Sequence, residues 1–207
     1  MEKIYTKFIQ SNLKWNSHVS SVVNKISRTI GILYKVKNIL LSTHHLTVLY
    51  HSLVEPYLNY CCIIWATPSK NTSLETLLKL QKRCVRIISY SPPKAHSRPL
   101  FNKLHILSVY DLCLINILVF VYRSVHLLFP YHFTKYFTRT WDIHLHETRG
   151  KKHNLDQINS QISCRIKSVV CSGPKHWNTL PDCIRSAPTL KAFKSLVKQH
   201  ILSQYMK

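Results

Sequence analysis

The sequence predicts a mainly α-helical protein, and three observations carry that expectation. Apolar residues recur at helical spacing in most of the longer segments. Helix-start signals precede several of those segments. Only three glycines occur in 207 residues, too few for a chain built from tight β-turns. At 45% hydrophobic residues, the chain can bury one good core or two small ones.

Taken in order, "NSHVSSVVNKISRTIGILYKVKNIL" reads as an amphipathic helix over 16–40. Val19, Val22, Val23, Ile26, Ile30, Leu33 and Tyr34 form its apolar stripe, with Asn16 or Ser17 as cap. Lys25, Arg28 and Lys35 share the other face. A second helix starts at Ser42 or Thr43, with Leu46, Leu49, Tyr50, Leu53 and Val54 as its stripe. Pro56 removes a donor and clashes with the preceding turn, so the helix is expected to kink or restart there. "TPSKNTS" is a loop, and Thr72 with Glu75 forms a capping-box pattern for a third helix. Leu74, Leu77, Leu78, Gln81, Cys84, Val85 and Ile88 line one side of it, and Lys79, Lys82, Arg83 and Arg86 the other.

A basic, proline-rich connector spans 91–107, opening with "SPPKAHSRP". Ser108 and Asp111 then start the most apolar helix, "VYDLCLINILVFVYRSV". Its apolar run is shorter than the roughly 20 residues that a membrane span needs, so a buried helix is expected and no membrane partner. Residues 128–183 show weak periodicity, and "LFPYHF", "DIHLHETRGKKHNL" and "GPKHWNTLPD" read as aromatic and basic loops. A final helix follows Pro188, with Leu190, Phe193, Leu196, Val197 and Ile201 inside and Lys191, Lys194 and Lys198 beside them. The division expected is a helical region 1–90, the connector 91–107 and a helical and irregular region 108–207.

The formal charge is +21, from 29 Lys+Arg against 8 Asp+Glu, and the excess runs through the whole chain. Such a balance points to a polyanionic partner, nucleic acid ahead of a membrane surface. Lys25, Arg28, Lys35, Lys79, Lys82, Arg83 and Arg86 are the candidate phosphate-binding residues. The alternative for each is a solvated helix face.

Catalysis finds no support. The acids are Glu2, Glu55, Glu75, Asp111, Asp142, Glu147, Asp156 and Asp182, with no DD, DxD or DxE pair for two-metal chemistry. No GxSxG elbow, P-loop or glycine-rich cradle exists, so no catalytic residue and no cofactor is assigned. Seven cysteines make an odd count, and "MEKIYTKFIQ" carries charges without an apolar leader core. An intracellular chain, nuclear or cytoplasmic, with reduced thiols is expected. Adjacent Cys61 and Cys62 would point about 100° apart on a helix and cannot chelate together. Cys164, Cys171, His176 and Cys183 are weak zinc candidates, because their six-residue gaps exceed those of ordinary knuckles. His144 and His146 with Asp142 lack a third ligand nearby.

The segments "LKWNSHV", "LYHSLVEPYLNYCCIIW", "LLKLQKRCVRII", "RPLFNKLHILSVYDL", "DIHLHETR" and "GPKHWNTLPDCIRSAPTLKAFK" follow one another in a fixed order. Together they resemble the region downstream of the palm in reverse transcriptases of non-LTR, jockey-type retrotransposons. The similarity runs from about Tyr5 to Val197. It implies a thumb-like helical bundle followed by the element's C-terminal segment. The family's catalytic aspartates lie upstream, in the palm, so the resemblance implies a truncated polymerase that would need a separate palm. Two other readings stay open. One is a host-adopted interaction module docking through the helix at 109–122, and the other a zinc-dependent nucleic-acid-binding module. Oligomeric state is not readable.

Overall fold

The computed structural model describes residues 15–39, 42–66, 72–143, 154–166 and 168–205. The protein is mainly α-helical, and one isolated antiparallel bridge, Arg139 with Leu155, interrupts the helices among the described residues. The chain divides into two compact units, the first through Leu112 and the second from Cys113 to Tyr205. Among the described residues no helix is long and apolar enough to cross a membrane.

In the first unit, α1 (Asn16–Lys37) buries Val19, Val22, Ile26, Ile30 and Leu33, and packs against α5 (Thr72–Ile88). Alternating steps of three and four residues keep these side chains on one face. Tyr34 falls outside that face, about 100° past Leu33, and is 63% exposed rather than in the stripe. Neither Asn16 nor Ser17 caps the helix; Trp15 holds the cap position and makes no side-chain bond there.

The next segment is broken more often than its periodicity predicts. α2 (Thr43–Leu53) ends just before α3 (Glu55–Asn59), and Pro56 sits in the first turn of α3, where its missing N–H costs little. Cys61 then takes a left-handed backbone, φ 50°, which separates α3 from α4 (Cys62–Trp65). The two cysteines therefore do not share one helix. Tyr50, Val54, Leu58, Cys62 and Trp65 are buried, whereas Leu53, Tyr57, Tyr60 and Cys61 are half-buried. The Trp65 indole donates to the Tyr60 carbonyl at 2.8 Å, so the ring spans the break.

α5 buries Leu74, Leu77, Cys84, Val85 and Ile88 as expected, and Ile87 with them. Gln81 is buried too, and all its capacity on this side is used. Its Nε2 donates to Tyr50 Oη and to the Leu107 carbonyl, each at 2.7 Å. Its Oε1 accepts from the Val109 N–H at 2.9 Å. The stretch read as a connector holds α6 (Ser97–Lys103), which packs on α5 and is followed by buried Leu104, Ile106 and Leu107.

α7 (Val109–Val125) opens with a reciprocal cap: Ser108 Oγ donates to Asp111, and the Asp111 N–H donates back to that hydroxyl at 3.3 Å. The boundary between the units falls within this helix. No residue from Val109 to Tyr122 is exposed.

The second unit continues through α8 (Tyr131–Thr134), α9 (Thr140–Ile143), α10 (Ser163–Ile166), α11 (Val169–Asn178), α12 (Asp182–Arg185) and α13 (Leu190–Gln204). Aromatic rings meet within its largely aliphatic core. Tyr122 stacks on Phe193 at 4.4 Å between centroids, Trp177 lies 5.7 Å from Phe193, and Tyr122 Oη donates to the Ala187 carbonyl at 2.8 Å. α11 corrects the expectation of loop over "GPKHWN", since the helix runs through Gly173 and Pro174. A Cβ at Gly173 would stand 2.8 Å from Val121 Cγ2 and 3.3 Å from Phe137 Cε1, so only glycine lets α11 approach α7 this closely. Arg185 is buried; it donates to Asn154 Oδ1 at 2.7 Å and pairs with Asp182. α13 is capped by Thr189, which accepts from the Ala192 N–H at 3.2 Å. Phe193, Val197 and Ile201 are buried on it, but Leu196, expected inside, is 37% exposed. His144, His146 and the Asp142 side chain lie outside the described residues.

Candidate nucleic-acid interface

The core of α5 sets its cationic face. With about 100° per residue, Lys79, Lys82, Arg83 and Arg86 occupy an arc of about 100° on the side away from Leu77, Gln81, Cys84 and Ile88. Lys79 and Arg83 are exposed, and Lys82 and Arg86 half-buried. Three of the four are open to a ligand, but Arg86 has a structural bond. Its Nε donates to the Ala95 carbonyl at 2.9 Å, holding the turn after α5 against the helix. Lys94 and Arg98, on either side of Ala95 in sequence, are exposed as well.

The α1 candidates separate. Arg28 and Lys35 are exposed and lie about 20° apart around the helix. Lys25 sits at the edge of the buried face, half-buried, with Nζ 5.3 Å from the Tyr57 ring centroid. Lys25 and Arg28 line an open groove with Asn16, Ser17, Ser20, Ser21 and Asn24, a row of amide and hydroxyl groups suited to phosphate oxygens. Lys35, two turns further on, does not line it. Because α1 and α5 pack through their apolar faces, each basic face points away from its own helix's core. The α1 and α5 cations thus form two sets, each on its own helix.

Opposing charge is sparse in the described part of this unit. Glu55 pairs with His51 and accepts from Asn59, and Asp111 is held by Ser108. Glu75 stands one turn before Lys79 on the same face, the one acid beside the stripe. A similar row of exposed lysines, Lys191, Lys194 and Lys198, lies on α13.

The cysteines make a different picture. Burial pushes the Cys84 thiol up to about 12, despite a backbone hydrogen bond and nearby Arg83, so it stays protonated and unreactive. In the zinc candidate, Cys171 is buried on α11 while Cys183 is exposed on α12, and the Cys164 side chain lies outside the described residues. His176 is half-buried, and burial, then the Lys175 charge, holds its pKa below the ordinary histidine value. Among the described residues no three His, Cys, Asp or Glu side chains come together to hold a metal ion.

Comparison with protein-family models, with curated proteins and with solved structures finds no match to this chain.

Proposed function

We propose that the chain binds the phosphate backbone of RNA or DNA through its basic helix faces. We further propose that it is a catalytically incomplete fragment of a retroelement RNA-directed DNA polymerase. The observation that carries the first part is the α5 face: Lys79, Lys82 and Arg83 lie outward on a helix whose opposite side is fixed in the core. Cations on a rigid helix reach phosphates without reading bases, which is what holding a template–product duplex requires. The ordered motifs between "LKWNSHV" and "GPKHWNTLPD" support the second part, as does the lack of paired carboxylates in the sequence. In that reading the chain is the thumb-like region, and the chemistry belongs to a palm outside these residues.

Duplex binding by the parent chain and by a Lys79→Gln, Lys82→Gln, Arg83→Gln variant tests the proposal. Glutamine keeps the helix propensity of these positions while removing charge. Arg86 is left intact because of its bond to Ala95. Affinity should fall alike for unrelated duplex sequences, with the helical signal unchanged. Equal binding by the two proteins would make the stripe a solvated face.

A further inference from the structure

The short helix α8 and the residues just after it carry aromatic rings on the surface that the backbone-binding faces do not use. Tyr131, Phe133 and Tyr136 are 68%, 42% and 43% exposed. They are not loose. Phe133 lies 5.8 Å from Tyr136, 5.8 Å from Phe129 and 6.4 Å from Phe120, and Phe120 continues to buried Phe137 at 6.3 Å. A connected row of rings therefore runs from the core of this unit to its surface. The segment that carries it is pinned: buried Ser124 Oγ donates to the Phe133 carbonyl at 2.6 Å, and the Leu128 N–H donates to the Arg123 carbonyl at 2.8 Å.

Cations accompany these rings. Lys135 Nζ stands 4.3 Å from the Tyr131 centroid, and the Arg123 guanidinium 5.0 Å from that of Phe129. Residues 112–141 contain no Asp or Glu, so nothing within that stretch opposes this charge. Aromatic faces beside cations match what unpaired nucleotides need, a stacking surface for the base and a counter-charge for the phosphate. A membrane-surface segment would instead show a long amphipathic helix, and α8 has only one turn.

The geometry points to a binding site for unpaired bases of single-stranded RNA or DNA at Tyr131, Phe133 and Tyr136, with Lys135 and Arg123 beside them. It is separate from the duplex-backbone role given to α5 and stands without it.

The experiment measures binding of the full chain to a short oligothymidylate and to an abasic strand of the same length, which keeps phosphates and lacks bases. The parent should prefer the base-bearing strand by at least about fivefold. A Tyr131→Leu, Tyr136→Leu variant should bind both strands alike, and the Tyr131→Phe, Tyr136→Phe variant should keep the preference. Both variants should retain the parent's helical signal and duplex affinity, because duplex bases are already stacked. Equal binding of the two strands by the parent would overturn the inference. So would a leucine variant that keeps the preference, or one that keeps it while losing binding to phosphatidylserine vesicles, which would assign the rings to a membrane surface. Loss of duplex binding in the α5 glutamine variant tests the other reading and leaves this one untouched.

Discussion

Gln81 is the residue on which the first unit turns. It joins α5 to Tyr50, 31 residues before it, and to Leu107 and Val109, 26 and 28 residues after it. Without it the Leu107 carbonyl and the Val109 N–H would lose this partner inside the core, and a buried polar group without a partner costs about 1–3 kcal/mol. Gln81→Leu should therefore lower unfolding stability by about 3 kcal/mol, read by denaturant titration. A stability within error of the parent would mean that water replaces all three bonds. The periodicity of α5 placed Gln81 on the apolar side, so its burial was readable. Its partners were not, because spacing along one helix says nothing about groups so far away in the chain. Among the described histidines, His176 has a shifted pKa. Its folded pKa is depressed, so between that value and the ordinary histidine value of about 6.5 the unfolded chain holds more protons. Stability should thus be full above that value and fall as pH drops through the window below it. His176→Gln should remove that part of the pH dependence, and an unchanged profile would contradict it.

At the scale of elements, the sequence announces helices that have one continuous apolar stripe and hides those that do not. α1, α5 and α13 were readable from their stripes, and the opening of α7 from Ser108 and Asp111. α11 was not, because Gly173 and Pro174 at its middle are the usual marks of a loop. What keeps it helical is tertiary: Cys171, Gly173, Pro174 and Trp177 are buried, and the missing Cβ of Gly173 makes room for Val121 and Phe137. Gly173→Ala would raise helix propensity by about 1 kcal/mol if propensity decided the matter. Here the added methyl meets a buried, β-branched side chain, so the variant should be destabilised by about 1–3 kcal/mol. Thermal unfolding measures the sign, and a stabilised variant would refute the close-packing account. The break at Cys61 was hidden for a related reason. A non-glycine residue in the left-handed region has no reliable sequence mark, and the apolar pattern around it reads equally well as one helix.

At the scale of the molecule, the mainly α class followed from periodicity and the scarcity of glycine, and the basic faces followed from charge and spacing. The second unit was harder to foresee, because its core draws on short helices and long-range contacts such as Tyr122 with Phe193 and Arg185 with Asn154. The interaction reading expected the 109–122 helix to dock a partner; in this structure half of those residues are buried and the other half half-buried. If the chain is a polymerase remnant without its palm, purified protein should extend no primer on RNA or DNA templates with magnesium or manganese. Reproducible extension would end that reading. The central claim, that outward helix cations hold nucleic-acid backbone, is tested most directly by the salt dependence of duplex affinity. Each neutralised phosphate adds about 0.7 to 0.9 to the slope of log affinity against log salt. The parent should lose affinity steeply as salt rises, and the Lys79, Lys82 and Arg83 glutamine variant should show a slope shallower by about two to three. Parallel slopes for the two proteins, or a parent affinity that does not change with salt, would contradict the account.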